Sequence, residues 1–247
     1  MKNGEKSLNK LFDLIELISQ SPQGISGKEL AEVAQIPLST TFRMLKFMTD
    51  REFLQVNKGI YTLGLSFVRW GNVASNHNQL IKASRPVLKE LARQTRECVH
   101  LAELQGNQIV YIDKHEGSNP IRLGSRIGQK GPLHCTGVGK AIFAYQDQQI
   151  QEELLAAIQY EVFTPTTIRN ETAMRKELEL IRNQGYAIDN CEHEEWIFCI
   201  AVPILDQKGK CIAGISISGA EVYVRENSPR LIKLITAASR QITTNLA

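Results

Sequence analysis

The sequence predicts an α+β fold in two parts: a small helical domain closed by a β-hairpin, then a larger domain mixing helices with antiparallel strands. Three observations carry this. Residues 7–63 read as three short helices and a hairpin, the order of a winged helix-turn-helix. From Cys98 onward, runs with the two-residue period of strands alternate with helical stretches. No internal repeat or low-complexity segment interrupts the 247 residues, a length that allows one or two domains.

Leu8, Leu11, Phe12, Ile15 and Ile18 recur at helical spacing, so residues 7–20 form an amphipathic helix. Ser21-Pro22-Gln23-Gly24 ends it. Ser26-Gly27-Lys28-Glu29 has the S-x-x-E form of a capping box and opens a second helix that runs to about Ala34. Gln35-Ile36-Pro37 is the turn, and a third helix spans about 39–51. The helix-turn-helix itself covers about 26–45. At 100° per residue the third helix sorts Thr41, Met44, Leu45 and Met48 onto one face. Ser39, Thr40, Arg43, Lys46 and Phe47 fall on the other. The first set packs inward. The second offers hydroxyls, two cations and an aromatic ring, and no acid stands between Gln35 and Thr49 to repel phosphate. Leu54-Gln55-Val56 and Ile60-Tyr61-Thr62-Leu63 flank Asn57-Lys58-Gly59, a hairpin that forms the wing.

Residues 64–76 continue as a linker helix, with Leu65, Val68 and Val73 apolar, and another helix covers 80–96. Strands are then expected at 99–104, 109–114 and 121–124, with Gly106-Asn107 turning between the first two. Helices return at 137–145, 147–158 and 171–184. Strands at 186–190, 197–205 and 211–218 follow, the last two joined by Asp206-Gln207-Lys208-Gly209. A helix at about 227–245 closes the chain. The expected domains are 1–66, a linker at 67–80, and 81–247.

Hydrophobic residues make up 43% of the chain, ordinary for a soluble globular protein. No apolar run approaches the ~20 residues needed to span a bilayer. The polar start, Met1-Lys2-Asn3-Gly4-Glu5-Lys6, has no apolar signal region behind it, so a cytoplasmic location is expected. Cys98, Cys135, Cys191, Cys199 and Cys211 show no CxxC pair, which favours reduced thiols. A zinc site from His134, Cys135, Cys191 and His193 needs two distant segments to meet, and buried, inert cysteines are the favoured reading. No cofactor is expected. Net charge is +3, and residues 1–66 carry 8 Lys/Arg against 7 Asp/Glu, a balance of +1. Overall charge therefore does not decide the matter, and the acid-free face of the third helix argues for DNA more strongly.

Two catalytic motifs nearly occur. Gly137-Val138-Gly139-Lys140-Ala141 lacks the P-loop's earlier glycine, where His134 stands, and its hydroxyl after the lysine. Gly214-Ile215-Ser216-Ile217-Ser218-Gly219 lacks the glycine of a nucleophile elbow. It alternates like a strand with both hydroxyls on one face. The run Glu192-His193-Glu194-Glu195 lacks metal-ligand spacing and reads as a solvated charge run. The same segments make sense as a pocket. Residues 137–140 open a helix whose free N–H groups suit an anion. Ser216 and Ser218 offer hydroxyls, Cys199 sits within a strand, and Asp189 lies at a strand end. Together they suit a small hydroxylated or keto carboxylate. The alternative is that the serines face solvent and the glycines serve only packing.

Four stretches carry a family likeness: 38–45 (LSTTFRML), 132–141 (PLHCTGVGKA), 199–204 (CIAVPI) and 212–218 (IAGISIS). In order and spacing the chain resembles the IclR family of bacterial transcriptional regulators over nearly its whole length. The resemblance implies a winged helix, a linker helix and a GAF-like effector-binding domain, in dimers often assembled into tetramers. It also implies that an organic-acid effector is held at Gly137, Val138, Asp189, Cys199, Ser216 and Ser218. Trp196 and Phe198 stand where the family usually has a glycine and a basic residue, and an indole near the pocket would shrink it, lid it or stack on a ring. His134 and Cys135 also stand where smaller residues are common.

The expected function is a ligand-responsive transcriptional regulator, a repressor rather than an enzyme. Ser39, Thr40, Arg43 and Lys46 enter the major groove of a double-stranded operator, and Lys58 in the wing contacts phosphate. The competing classes are a small-molecule hydrolase with a helical lobe, using a nucleophile among Cys199, Ser216 or Ser218, and a DNA-binding scaffold whose second domain only oligomerises.

Overall fold

A computed structural model describes residues 3–246; Met1 and Lys2 of the polar start, and Ala247, lie outside the described residues. The chain divides into two compact units, 1–77 and 78–247.

The first unit runs α1 (Asn3–Ser19), β1 (Ile25–Ser26), α2 (Gly27–Val33), α3 (Leu38–Asp50), β2 (Leu54–Asn57), β3 (Ile60–Leu63) and α4 (Leu65–His77). Its core joins Leu14 and Ile18 of α1, Leu30 of α2, Met44, Leu45 and Met48 of α3, and Leu54. The capping box forms: the Glu29 amide donates to Ser26 Oγ (3.3 Å), and the Ser26 amide to Glu29 Oε2 (3.1 Å). The tight turn after α2 places Gln35 at φ 54°, a left-handed conformation. The β2–β3 hairpin closes on Lys58 (φ 49°) and Gly59 (φ 80°), both left-handed as a type I′ turn requires. β1 is an element the two-residue run Ile25-Ser26 did not disclose. It pairs with β3 and makes the wing a three-stranded sheet of order β1-β3-β2.

The second unit contains α5 (Gln79–Thr95), β4 (Cys98–Gln105), β5 (Gln108–His115), β6 (Lys130–Pro132), α6 (Gly137–Ala144), α7 (Gln148–Ala157) and α8 (Glu171–Gln184). It continues with β7 (Ala187–Asn190), β8 (Ile197–Leu205), β9 (Cys211–Ala220), α9 (Glu221–Glu226) and α10 (Ser228–Asn245). One antiparallel sheet, ordered β6-β5-β4-β9-β8-β7, forms its middle layer. α5, α9 and α10 cover one face, burying Val99, Phe198, Ile200, Ile215 and Ile217. α6, α7 and α8 cover part of the other, over Ala201, Ala187 and Ala102. The two-residue period thus puts Ile215 and Ile217 in one layer, and Ser216 and Ser218 in the opposite one.

The strand expected at 121–124 is absent. Residues 116–129 form an irregular flap, and two carbonyls around the expected strand bond to a lysine: Lys114 Nζ donates to Leu123 O (2.9 Å) and Ser125 O (2.8 Å). The sheet gains β6 in its place, whose glycine and proline hid its pattern. α9 was likewise not expected. Among the described residues, no helix is long and apolar enough to cross a membrane.

Candidate functional site

In the first unit, Thr41, Met44, Leu45 and Met48 are buried, and Ser39, Arg43, Lys46 and Phe47 are exposed. Thr40 is half-buried. The outward face has one feature the acid-free window did not reveal. Lys46 Nζ lies 3.1 Å from Asp50, one residue beyond that window, in an exposed i,i+4 pair. Arg43 makes no ion pair among the described residues, so it is the open cation on this face. Arg51, not expected to take part, lies 3.9 Å over the exposed Phe47 ring and adds positive charge beside it. Lys58 is exposed at the tip of the wing.

In the second unit, sheet register assembles the other site. Asp189 on β7 pairs with Cys199 on β8, which pairs with Ser218 on β9, which pairs with Cys98 on β4. The adjacent row runs Ala187, Ala201, Ser216, His100 and Lys114. Residues distant in sequence thus become neighbours on one sheet face. α6 then lies against that face by its N-terminus. A Cβ on Gly137 would stand 3.2 Å from Cys199 Cβ and 3.5 Å from Asp189 Cβ, so glycine permits the close approach.

The result is a cavity of about 200 Å³ walled by Gly137, Val138, Asp189, Cys199, Ser216 and Ser218. Thr136 caps α6: its Oγ1 accepts from the Gly139 amide (3.1 Å) and donates to Pro132 O (2.7 Å). The Lys140 amide returns to Thr136 O. The Gly137 and Val138 amides make no hydrogen bond among the described residues, so two donors at the positive end of a helix open on the cavity.

Lys140 turns away from the cavity. Fully buried, its amine donates to Glu177 on α8 (2.8 Å) and Glu192 (2.5 Å). Those carboxylates hold the ammonium charged against burial. The Glu192 amide in turn donates to Asp189 Oδ1 (2.7 Å). Burial, with the Glu192 charge adding, pushes the Asp189 carboxyl up to about 7. Asp189 therefore titrates near neutrality, and its protonated form can donate as well as accept. Burial also lifts the Cys199 thiol well above its ordinary value. A thiol held in that neutral form is poorly suited to nucleophilic attack.

Several wall residues escaped the sequence reading. His100, on β4, has Nδ1 3.4 Å from Ser216 Oγ and Nε2 2.8 Å from Ser125 Oγ of the flap. Burial, with Lys114 adding, drives its pKa down to about 3, so the ring is neutral. Its second nitrogen faces Ser125 and Cys98, with no carboxylate to orient it, so Ser216 and His100 do not make a hydrolytic triad. Tyr111, Ser125 and Lys130 complete the wall with His193 and Glu194. Alternate positions Cys98, His100 and Ala102 in one strand were the available signal; their partners were not legible.

Trp196 and Phe198 do not wall the cavity. Trp196 is 75% exposed at a left-handed φ of 69°. Phe198 alternates onto the opposite sheet face and is buried there, with the Arg225 guanidinium 4.6 Å over its ring. His134 and Cys135 are both buried, and His134 Nε2 bonds Glu161 O. Among the described residues, His134, Cys135, Cys191 and His193 form no group that could hold a metal ion.

Residues 72–244 match the family described as bacterial transcriptional regulator IclR C-terminal, and residues 7–58 match the IclR helix-turn-helix domain. The chain is 32% identical over 240 residues to the HTH-type transcriptional regulator KdgR of Dickeya chrysanthemi, covering 96% of this chain and 78% of that protein. It is 28% identical over 250 residues to the HTH-type transcriptional repressor AllR of Escherichia coli (strain K12), covering 99% and 92%. The crystal structure of the Thermotoga maritima IclR superposes with a TM-score of 0.82 at 31% identity, covering 98% of this chain and 99% of that one.

Proposed function

The chain belongs to the IclR family of bacterial transcriptional regulators, and from that premise we propose that it is a ligand-responsive repressor controlled by a small hydroxylated or keto carboxylate. The observation that carries this reading is the cavity itself. Two unpaired amides at a helix N-terminus, Asp189 with its raised pKa and two serine hydroxyls converge on one cavity. The amides suit a carboxylate, Asp189 a carbonyl or hydroxyl, and the serines either.

Residues 1–66 read DNA, 67–80 link, and 81–247 sense the ligand. Arg43 reads a base edge beside Ser39, Thr40 and Lys46, and Lys58 grips a phosphate. The protein acts in the cytoplasm as a homodimer or tetramer. Leu8 and Phe12 on α1, with Leu65, Val68 and Val73 on α4, leave apolar side chains more than half exposed, which supports self-association through the first unit. A two-fold dimer binds a palindromic or near-palindromic site.

Thermal unfolding with a panel of small organic acids tests the reading, followed by release of operator DNA by those that stabilise. A true effector raises the melting temperature of the parent and loses that effect in Asp189→Ala and Ser216→Ala. Stabilisation that persists in both variants, or an acid that stabilises without changing DNA affinity, overturns it.

A further inference from the structure

The pocket has a second wall. Tyr111 on β5 is fixed through its backbone: its amide donates to Gln129 O (3.0 Å), and the Gly128 amide donates to its carbonyl (2.7 Å). Its ring packs against His100, centroids 5.1 Å apart at 49°. Tyr111 lines the cavity beside Cys199, Asp189 and Glu194. Burial raises its pKa, so it stays a neutral hydroxyl. Among the described residues that hydroxyl makes no hydrogen bond. Two polar groups of the same wall are engaged elsewhere: His100 by Ser216 and Ser125, and Asp189 by the Glu192 amide.

We propose that Tyr111 is a specificity-determining contact that reads a hydroxyl group on the effector, distinct from the carboxylate that suits the Gly137 and Val138 amides. This rests on the organic-acid reading above and narrows it to acids carrying an additional hydroxyl. A phenol offers one donor and two acceptor sites. Enclosed beside a ligand with no matching group, it would lose its bond to water and gain nothing. Sites that hydrogen-bond a ligand hydroxyl reject the analogue lacking it for this reason. His100 sharpens the geometry by holding Ser216 on the floor and Ser125 in the flap at a fixed separation from the phenol.

Isothermal titration of the full chain with matched acids tests the proposal. The pairs are glycerate with lactate, 4-hydroxy-2-oxobutyrate with 2-oxobutyrate, and gluconate with 6-deoxygluconate. The parent protein binds the hydroxylated member of at least one pair more tightly. Tyr111→Phe, which removes one oxygen and keeps the ring, weakens that member about tenfold and leaves its partner unchanged. Asp189→Asn weakens both. If the acids bind but Tyr111→Phe weakens both members equally or neither, the assignment of Tyr111 fails and the organic-acid pocket stands. If no acid binds the parent protein, the pocket reading fails and the inference with it.

Discussion

Arg43 and Lys58 sit at sites with opposite demands. An arginine on a groove-facing helix can make a bidentate bond to guanine, worth about 1–3 kcal/mol of discrimination. In the proposed mode, the lysine at the hairpin tip meets phosphate. Arg43→Ala should therefore relax preference for the operator over random DNA. Lys58→Ala should weaken both alike and lower the salt slope by about 1. Anisotropy titrations at several salt concentrations separate the two, and equal losses on both DNAs for Arg43→Ala would refute base reading. Asp189 carries a pH signature. Its folded pKa of about 7 lies above the ordinary carboxylate value of about 4, so the folded state holds the extra proton between them. Its contribution to stability therefore falls as pH rises from 4 to 7 and is level above. Asp189→Asn removes the charged form, so its melting temperature should exceed the parent's at pH 8, with the gap closing toward pH 4. A gap that is constant with pH would show that Asp189 does not hold that proton.

Between elements, the buried Lys140 ties α6 to α8 and to the turn after β7. Its sequence context suggested a nucleotide loop, yet its amine serves structure, and the same helix presents its first two amides to the cavity. Lys140→Met keeps an unbranched side chain one atom shorter and leaves Glu192 buried without its cation. Breaking such a pair costs about 3–5 kcal/mol. Urea unfolding should show a loss of that order, and a change below 1 kcal/mol would mean the triad is energetically idle. The helices of both units were legible because apolar spacing and capping residues are local. The flap was not: the alternating look of 121–124 lost to the Lys114 amine, which takes two of its carbonyls. β6 was missed because Gly131 and Pro132 carry no strand signal, and only pairing with Ile109 makes it one.

For the whole molecule, the two compact units have separate tasks under the proposed function, and each should keep its own when separated. A fragment of residues 78–247 should bind the effector with an affinity within about threefold of the full chain and show no affinity for DNA. Titration of the fragment beside the full chain checks this, and loss of ligand binding in a folded fragment would mean that the first unit shapes the pocket. The sequence by itself determined the winged helix-turn-helix, the outward set Ser39, Arg43 and Lys46, and the family, because helix periodicity, turn chemistry and motif order are written along the chain. It also named six pocket residues, four of them through a strand parity or helix start that needs no long-range information. Only the tertiary structure decided what surrounds them. Sheet register between β4 and β9 brought His100 to Ser216, 116 residues further along the chain. The same packing carried Phe198 to the far face and Tyr111 to the cavity, and the burial it created is what raises the affinity of Asp189 for a proton.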